Sequence, residues 1–182
     1  MLLNSKFSNF DFRFPKGFFF PEIEERYDIF FKRQPIPYTN LTDYVNYTVQ
    51  SVSWPAVTTD TTEQLFKDAI KTYKGGFEAP RYFDRTFDVT FRTTEGYLNY
   101  WIMHDQFFKY WEWGPEHEMF LPDFNLKILD HSGYLVMTMI FKDVVFSGLS
   151  ELELSYANNV PEYKSFNATF KFKIIDLKKE LS

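Results

Sequence analysis

Arg85-Thr86-Phe87-Asp88-Val89-Thr90-Phe91-Arg92 runs at once into Thr93-Thr94-Glu95-Gly96-Tyr97-Leu98-Asn99-Tyr100-Trp101-Ile102-Met103-His104-Asp105-Gln106-Phe107-Phe108-Lys109-Tyr110-Trp111. The first eight residues alternate, with Phe87, Val89 and Phe91 on one side, which predicts a half-buried strand. The period then changes, and Glu95 to Trp111 reads as the best helix of the chain. Leu98, Trp101, Ile102 and Phe108 form one apolar stripe in this reading. Tyr100, Met103, Phe107, Tyr110 and Trp111 form a second. A helix apolar on two sides cannot bury both against one small sheet. It is either the core helix of a compact monomer or a helix shared with a neighbouring subunit, since rings are enriched in interface cores.

Working outward, the remainder of the C-terminal half reads as strands. Asp123–Leu129 and Tyr134–Phe141 flank a turn at Asp130–Gly133, and Asp143–Phe146 ends at a break at Ser147-Gly148. Glu151–Tyr156 follows, then a turn at 158–161. The last strand alternates Phe166, Ala168, Phe170, Phe172 and Ile174 with polar partners. Upstream, Tyr44 to Val52 alternates and is rich in β-formers, ending at Trp54-Pro55. Thr61 and Gln64 have capping-box spacing ahead of Leu65, Phe66, Ala69 and Ile70, so local rules predict a helical turn over Thr61–Ile70. Pro21 opens a short amphipathic helix to Arg33, with acids early and bases late. Residues 1–20 carry Phe7, Phe10, Phe12, Phe14 and Phe18-Phe19-Phe20, interrupted by Pro15 and Gly17. They read as an irregular arm pinned by its rings.

The fold class is therefore mainly β with one flanking helix (α+β). It is an antiparallel β-sandwich or barrel spanning residues 41–182, preceded by an N-terminal aromatic arm with a short helix over residues 1–40. At 182 residues one domain is the default. Phe, Tyr and Trp make up 21% of the chain within an ordinary 45% apolar share. Rings on a two-faced helix, on one-sided strands and on the arm exceed what a small monomer readily buries. Much of that surface is expected to be completed by neighbours.

Composition also excludes functions. The net charge is −5 and no basic run exceeds Lys178-Lys179, so specific nucleic-acid binding is not expected. Cysteine is absent, which removes disulfides and thiolate metal sites. No apolar stretch has the length of a secretory leader or a spanning helix, so a soluble chain without membrane insertion is expected. His104, His117 and His131 match no metal-ligand spacing. Neither a phosphate loop nor a nucleophile elbow is present. No catalytic, cofactor-binding or metal residues are therefore expected, and no cofactor.

The order of these elements resembles the bacteriophage tail tube protein family, which is akin to the tube protein of type VI secretion. The residues that carry the resemblance are Ser51-Val52-Ser53-Trp54-Pro55-Ala56 and the polar loop after it, then Arg85 to Phe91, Glu95-Gly96-Tyr97 and the helix ending near Tyr110-Trp111. Phe141 to Phe146, Leu152 to Tyr156 and the strand from Phe166 complete it. The resemblance spans roughly residues 44 to 177.

It implies a sandwich whose subunits close into hexameric rings, whose inner sheets line a lumen, and whose rings stack into a conduit for phage DNA. The helix would contact a neighbour, which assigns a subunit interface to Tyr97, Tyr100, Trp101, Phe107, Phe108 and Trp111. The loop from about Val57 to Phe83 would stack rings through Thr58, Thr59, Asp60, Thr61, Thr62, Glu63, Tyr73 and Phe77, in extended form, against the local helical signal. The first 40 residues have no counterpart and could clasp an adjacent subunit. The implied partners are the chain itself and other tail or baseplate proteins, with DNA only as transiting cargo. The implied location is the virion tail, assembled in the host cytoplasm. An acidic balance suits a conduit, because acidic and small polar lumen groups repel phosphate. A tail hub, terminator or connector ring of the same fold is the alternative, and a ligand- or carbohydrate-binding sandwich is a further one.

Overall fold

The computed structural model describes residues 9–33, 40–58, 61–66, 69–74, 81–82, 85–112, 120–152 and 164–179, with backbone alone for Thr58, 61–66, 69–74 and 81–82. Two four-stranded antiparallel sheets face each other. One has the order β1 (Phe10–Arg13), β8 (Phe124–Leu129), β9 (Leu135–Lys142), β12 (Ile174–Lys179). The other has the order β10 (Val145–Leu149), β11 (Ser165–Lys171), β7 (Thr86–Arg92), β2 (Val49–Val52). Three helices flank them, α1 (Pro21–Arg33), α2 (Leu41–Tyr47) and α3 (Leu98–Glu112). Two short ladders complete the described strands, β3 (Val57–Thr58) with β6 (Arg81–Tyr82) and β4 (Thr61–Phe66) with β5 (Ala69–Lys74). The expected mainly β sandwich with a flanking helix is what the chain forms.

Phenylalanine joins the two sheets. Register places Phe91 opposite Phe166 and Phe87 opposite Phe170, and each pair stacks, at 5.0 Å and 5.3 Å between centroids. Across the sandwich Phe87 stacks on Phe141 at 4.2 Å and Phe124 meets Phe170 at 5.2 Å. Offset ring pairs contribute about 0.5–1.5 kcal/mol each beyond the area they bury.

The arm is part of this core. Phe10–Arg13 is a regular strand paired with β8, which corrects the expectation of an irregular segment. Pro15 and Gly17 act only beyond it, where Gly17 takes φ +82° and turns the chain inward. Phe12, Phe14, Phe18, Phe19 and Phe20 are all buried within their own chain. Phe14 touches Phe18, Phe91 and Phe124.

Four further expectations change. The predicted strand from Tyr44 begins as α2, whose start is capped by Asn40 Oδ1 accepting from the Asp43 amide at 2.7 Å. Leu41, Tyr44 and Val45 are all buried there, an i, i+3, i+4 set that a strand would split across two faces. The helical turn over Thr61–Ile70 is instead the β4–β5 hairpin, with Leu65 opposite Ile70 and Phe66 opposite Ala69. A capping box supplies two local hydrogen bonds, whereas the ladder pairs six residues on each strand. The break at Ser147-Gly148 is a bulge inside β10. The last strand divides at Phe172-Lys173, so Ile174 begins β12 in the opposite sheet and is exposed. Glu151–Tyr156 as a strand and the turn at 158–161 lie largely or wholly outside the described residues.

Candidate assembly surface

α3 starts from a corner built around one buried amide. Asn99 Nδ2 donates to the Arg92 carbonyl at 2.7 Å, while its Oδ1 accepts from the Thr94 amide and hydroxyl, both at 3.2 Å. Gly96 and Tyr97 both take left-handed backbone there, at φ +67° and +55°. Such a conformation costs a residue with a Cβ about 1–2 kcal/mol.

The buried side of α3 carries Asn99, Ile102, Met103 and Gln106. Gln106 binds the arm twice, with Nε2 donating to the Phe18 carbonyl at 2.6 Å and Oε1 accepting from the Phe20 amide at 3.1 Å. Asp105 joins α3 to α1, accepting from Tyr27 Oη at 2.8 Å and Arg26 at 3.2 Å. Burial above all, then the hydrogen bond to Asp105 and its charge, raise the Tyr27 phenol well beyond the ordinary range.

The two stripes read from the sequence are each divided by this packing. Trp101 and Ile102 are neighbours turned about 100° apart, so Ile102 is fully buried and Trp101 is 48% exposed. Phe108 and Trp111 are also open, at 53% and 57%. Trp101, His104 and Phe108 form a continuous aromatic ridge, with centroid spacings of 5.5 Å and 4.6 Å. The Nδ1 atom of His104 is buried with no hydrogen-bond partner among the described residues, its nearest acid being Asp105 at 3.8 Å. Tyr100 and Phe107 turn inward as half-buried flanks, edge-on to Phe166 and Phe146. Trp111 donates Nε1–H to the Phe146 carbonyl at 3.1 Å, which fixes its ring against β10. Tyr97 is half-buried at the corner.

Of the six residues assigned to an interface, the structure thus brings Trp101, Phe108 and Trp111 onto one exposed face. Sequence reasoning missed Asn99, Gln106 and the place of His104. The signal was present, because Asn99, Met103 and Gln106 share an i, i+4, i+7 row that mixes amides into the apolar side.

Of the residues assigned to ring stacking, Thr58 lies in β3, Thr61, Thr62 and Glu63 in β4, and Tyr73 in β5. Thr59, Asp60 and Phe77 lie outside the described residues. Among the described residues no group of three or more His, Cys, Asp or Glu could hold a metal ion, and no helix is long and apolar enough to cross a membrane.

Two facing four-stranded sheets with α3 laid along β10 are a fold this chain shares with a chain of a phage-tail-like particle. A chain of the anti-feeding prophage baseplate, solved with six-fold symmetrisation, superposes with TM-score 0.52 at 9% identity, covering 82% of this chain and 89% of that one. The cap that terminates the anti-feeding prophage tube gives 0.45 at 11% identity over 72% and 80%. The crystal structure of an Hcp protein gives 0.43 at 11% identity over 80% and 82%. The fold assignment rests on the baseplate chain. No family model and no curated protein matches the sequence.

Proposed function

We propose that the protein is a non-enzymatic structural subunit that closes into rings within the tube of a phage-tail-like particle. The observation that carries this reading is the aromatic ridge of α3 on a two-sheet sandwich of the baseplate chain's fold. Trp101, Phe108 and Trp111 expose large rings on one helix face, and exposed aromatic clusters are the usual anchors of protein interfaces. The outer strands β1 and β12 of one sheet and β2 of the other have no further ladder partner among the described residues. Head-to-tail closure would pair or cover such edges. Six copies per ring is the number the resemblance implies, and the six-fold symmetrised baseplate particle supports it. Ring stacking falls to the β4–β5 hairpin, and macromolecular cargo such as phage DNA passes through without specific binding.

A terminal ring is the second reading, favoured by the baseplate origin of the chain that carries the fold assignment. The two readings differ in growth. A repeating tube subunit forms filaments of indefinite length, whereas a hub or terminator stops at one ring or a small stack. Negative-stain microscopy and sedimentation of the purified protein across a concentration series test both. Rings or tubes are the expected result. A monodisperse monomer at the highest concentration, with no ring in any particle class, refutes the proposal and leaves a binding sandwich.

A further inference from the structure

The two outward sheet faces differ in chemistry, and that difference selects the one that lines the bore. On the β10-β11-β7-β2 sheet, Phe87, Val89 and Phe91 of β7 and Phe166, Ala168 and Phe170 of β11 point into the core. The opposite parity points outward. One cross-strand row is Ser51, Thr90 and Asn167, and the next sets Asp88 beside Thr169. The side chains are short and mostly uncharged.

They are also occupied with one another. Thr169 Oγ1 donates to Asp88 Oδ1 at 2.5 Å, Ser147 Oγ donates to the Thr169 carbonyl at 3.0 Å, and Ser53 Oγ accepts from the Asp88 amide at 2.6 Å. The one carboxylate in the middle of this face is thus tied down. Arg92 and Lys171 stand at opposite ends of it. None of the large exposed apolar side chains lies on β2, β7, β10 or β11.

The β1-β8-β9-β12 sheet presents a different exterior. Lys127 and Lys178 lie in one row on either side of Thr138. Lys142 pairs with Asp176 at 2.5 Å, and Ile174, opposite Lys142, is exposed at the start of β12. Two long cations set side by side across the sheet, with an open aliphatic group beside them, would crowd a channel and adhere to cargo.

Resting on the ring reading above, we propose that the β10-β11-β7-β2 face is the channel wall, and that the wall is hydroxyl-rich and sparsely charged rather than acidic. Such a surface offers a passing chain neither an apolar anchor nor a field of one sign. The acidity of the chain resides elsewhere, so the wall does not select cargo by repelling phosphate. It fits a macromolecule of either charge that must slide without being held.

The absence of cysteine makes the test direct. Asn167→Cys places a thiol on the proposed wall and Lys127→Cys places one on the other sheet. Assembled particles of each variant are treated with N-ethylmaleimide or with a maleimide carried on a polymer too bulky for the channel. Both thiols are expected to react with the small reagent. The polymer should react readily at residue 127 and at least about tenfold more slowly at residue 167, with the difference abolished when the particles are dissociated in denaturant. Assembled particles in which residue 167 takes the polymer as fast as residue 127 overturn this inference and leave the ring reading intact. So do particles in which residue 167 is closed even to the small reagent, because a neighbour then covers the face. A chain that forms no particle overturns the ring reading itself, and this inference with it.

Discussion

Replacing Gln106 with methionine removes the clamp that holds the arm to α3 while keeping nearly the same length of side chain. The buried amide makes two hydrogen bonds, to the Phe18 carbonyl and from the Phe20 amide. Methionine serves neither group, and a buried backbone group deprived of its bond costs about 1–3 kcal/mol. For two such groups the expected loss is about 2–6 kcal/mol. In a chain of this size each kcal/mol lowers Tm by about 2–4 °C, so a fall of roughly 4–24 °C is expected. Thermal unfolding followed by circular dichroism gives the total. Amide hydrogen exchange locates it, because Phe18–Phe20 should lose protection before the strands of either sheet. A Gln106→Met protein that melts within about 2 °C of the parent, with unchanged exchange at Phe18–Phe20, refutes the view that this amide fastens the arm.

The ridge is tested by Trp101→Ser combined with Phe108→Ser. Both rings are about half exposed, so stability should change by no more than about 1 kcal/mol. Each interface anchor removed should cost about 2 kcal/mol or more, raising the concentration needed for assembly by at least about tenfold in sedimentation. Equal losses of Tm and of assembly would return the ridge to the monomer core. Asn99→Ala removes the bonds to Arg92 and Thr94 and should cost about 2–4 kcal/mol in urea unfolding, and a loss under about 0.5 kcal/mol would contradict the corner described here. Tyr27 supplies a pH dependence. Its phenol ionises at higher pH in the folded chain than in the unfolded one, so its contribution is complete below about pH 10 and is lost as pH rises beyond that. Tyr27→Phe should therefore show a shallower decline of Tm above pH 10 than the parent, and parallel curves would contradict the assignment.

The sandwich was legible because Phe87 to Phe91 and Phe166 to Phe170 alternate without interruption, and in-register strands need little beyond alternation to choose a face. Val49 to Val52 form β2 as expected, but Tyr44 to Tyr47 misled because β-branched and aromatic side chains at Tyr44, Val45 and Tyr47 suit a strand locally. The Asn40 cap and the shared burial of Leu41, Tyr44 and Val45 decide otherwise, and those depend on what packs above the helix. The β4–β5 hairpin hid behind a capping-box pattern for the same reason, since a ladder is a nonlocal partner. On α3 the content of rings was plain and their allocation was not. Helical spacing separates Trp101 from Ile102, but which side faces β10 is set by Asn99, Gln106 and the arm they hold, residues up to 88 positions distant in sequence.

The fate of the rings also restricts how the subunit can assemble. Composition suggested that neighbours complete much of the aromatic surface, yet the buried core is itself dominated by phenylalanine, the arm included. What remains at α3 is a narrow ridge rather than a broad apolar face. A ridge of a few rings gives one contact of modest strength, because hot-spot anchors act through a small, well-enclosed centre. Association also costs several kcal/mol of translational and rotational freedom, about 4–15 kcal/mol by common estimates. An isolated pair of subunits joined through α3 alone should therefore be short-lived. Closing a ring adds one more contact than the number of joining steps, and that last contact forms within a single body at high effective concentration. Assembly driven by this surface should pass from monomer to closed ring with few stable intermediates. The same arithmetic explains how a chain with a self-sufficient core can remain dispersed until its concentration, or a preformed ring, makes closure favourable.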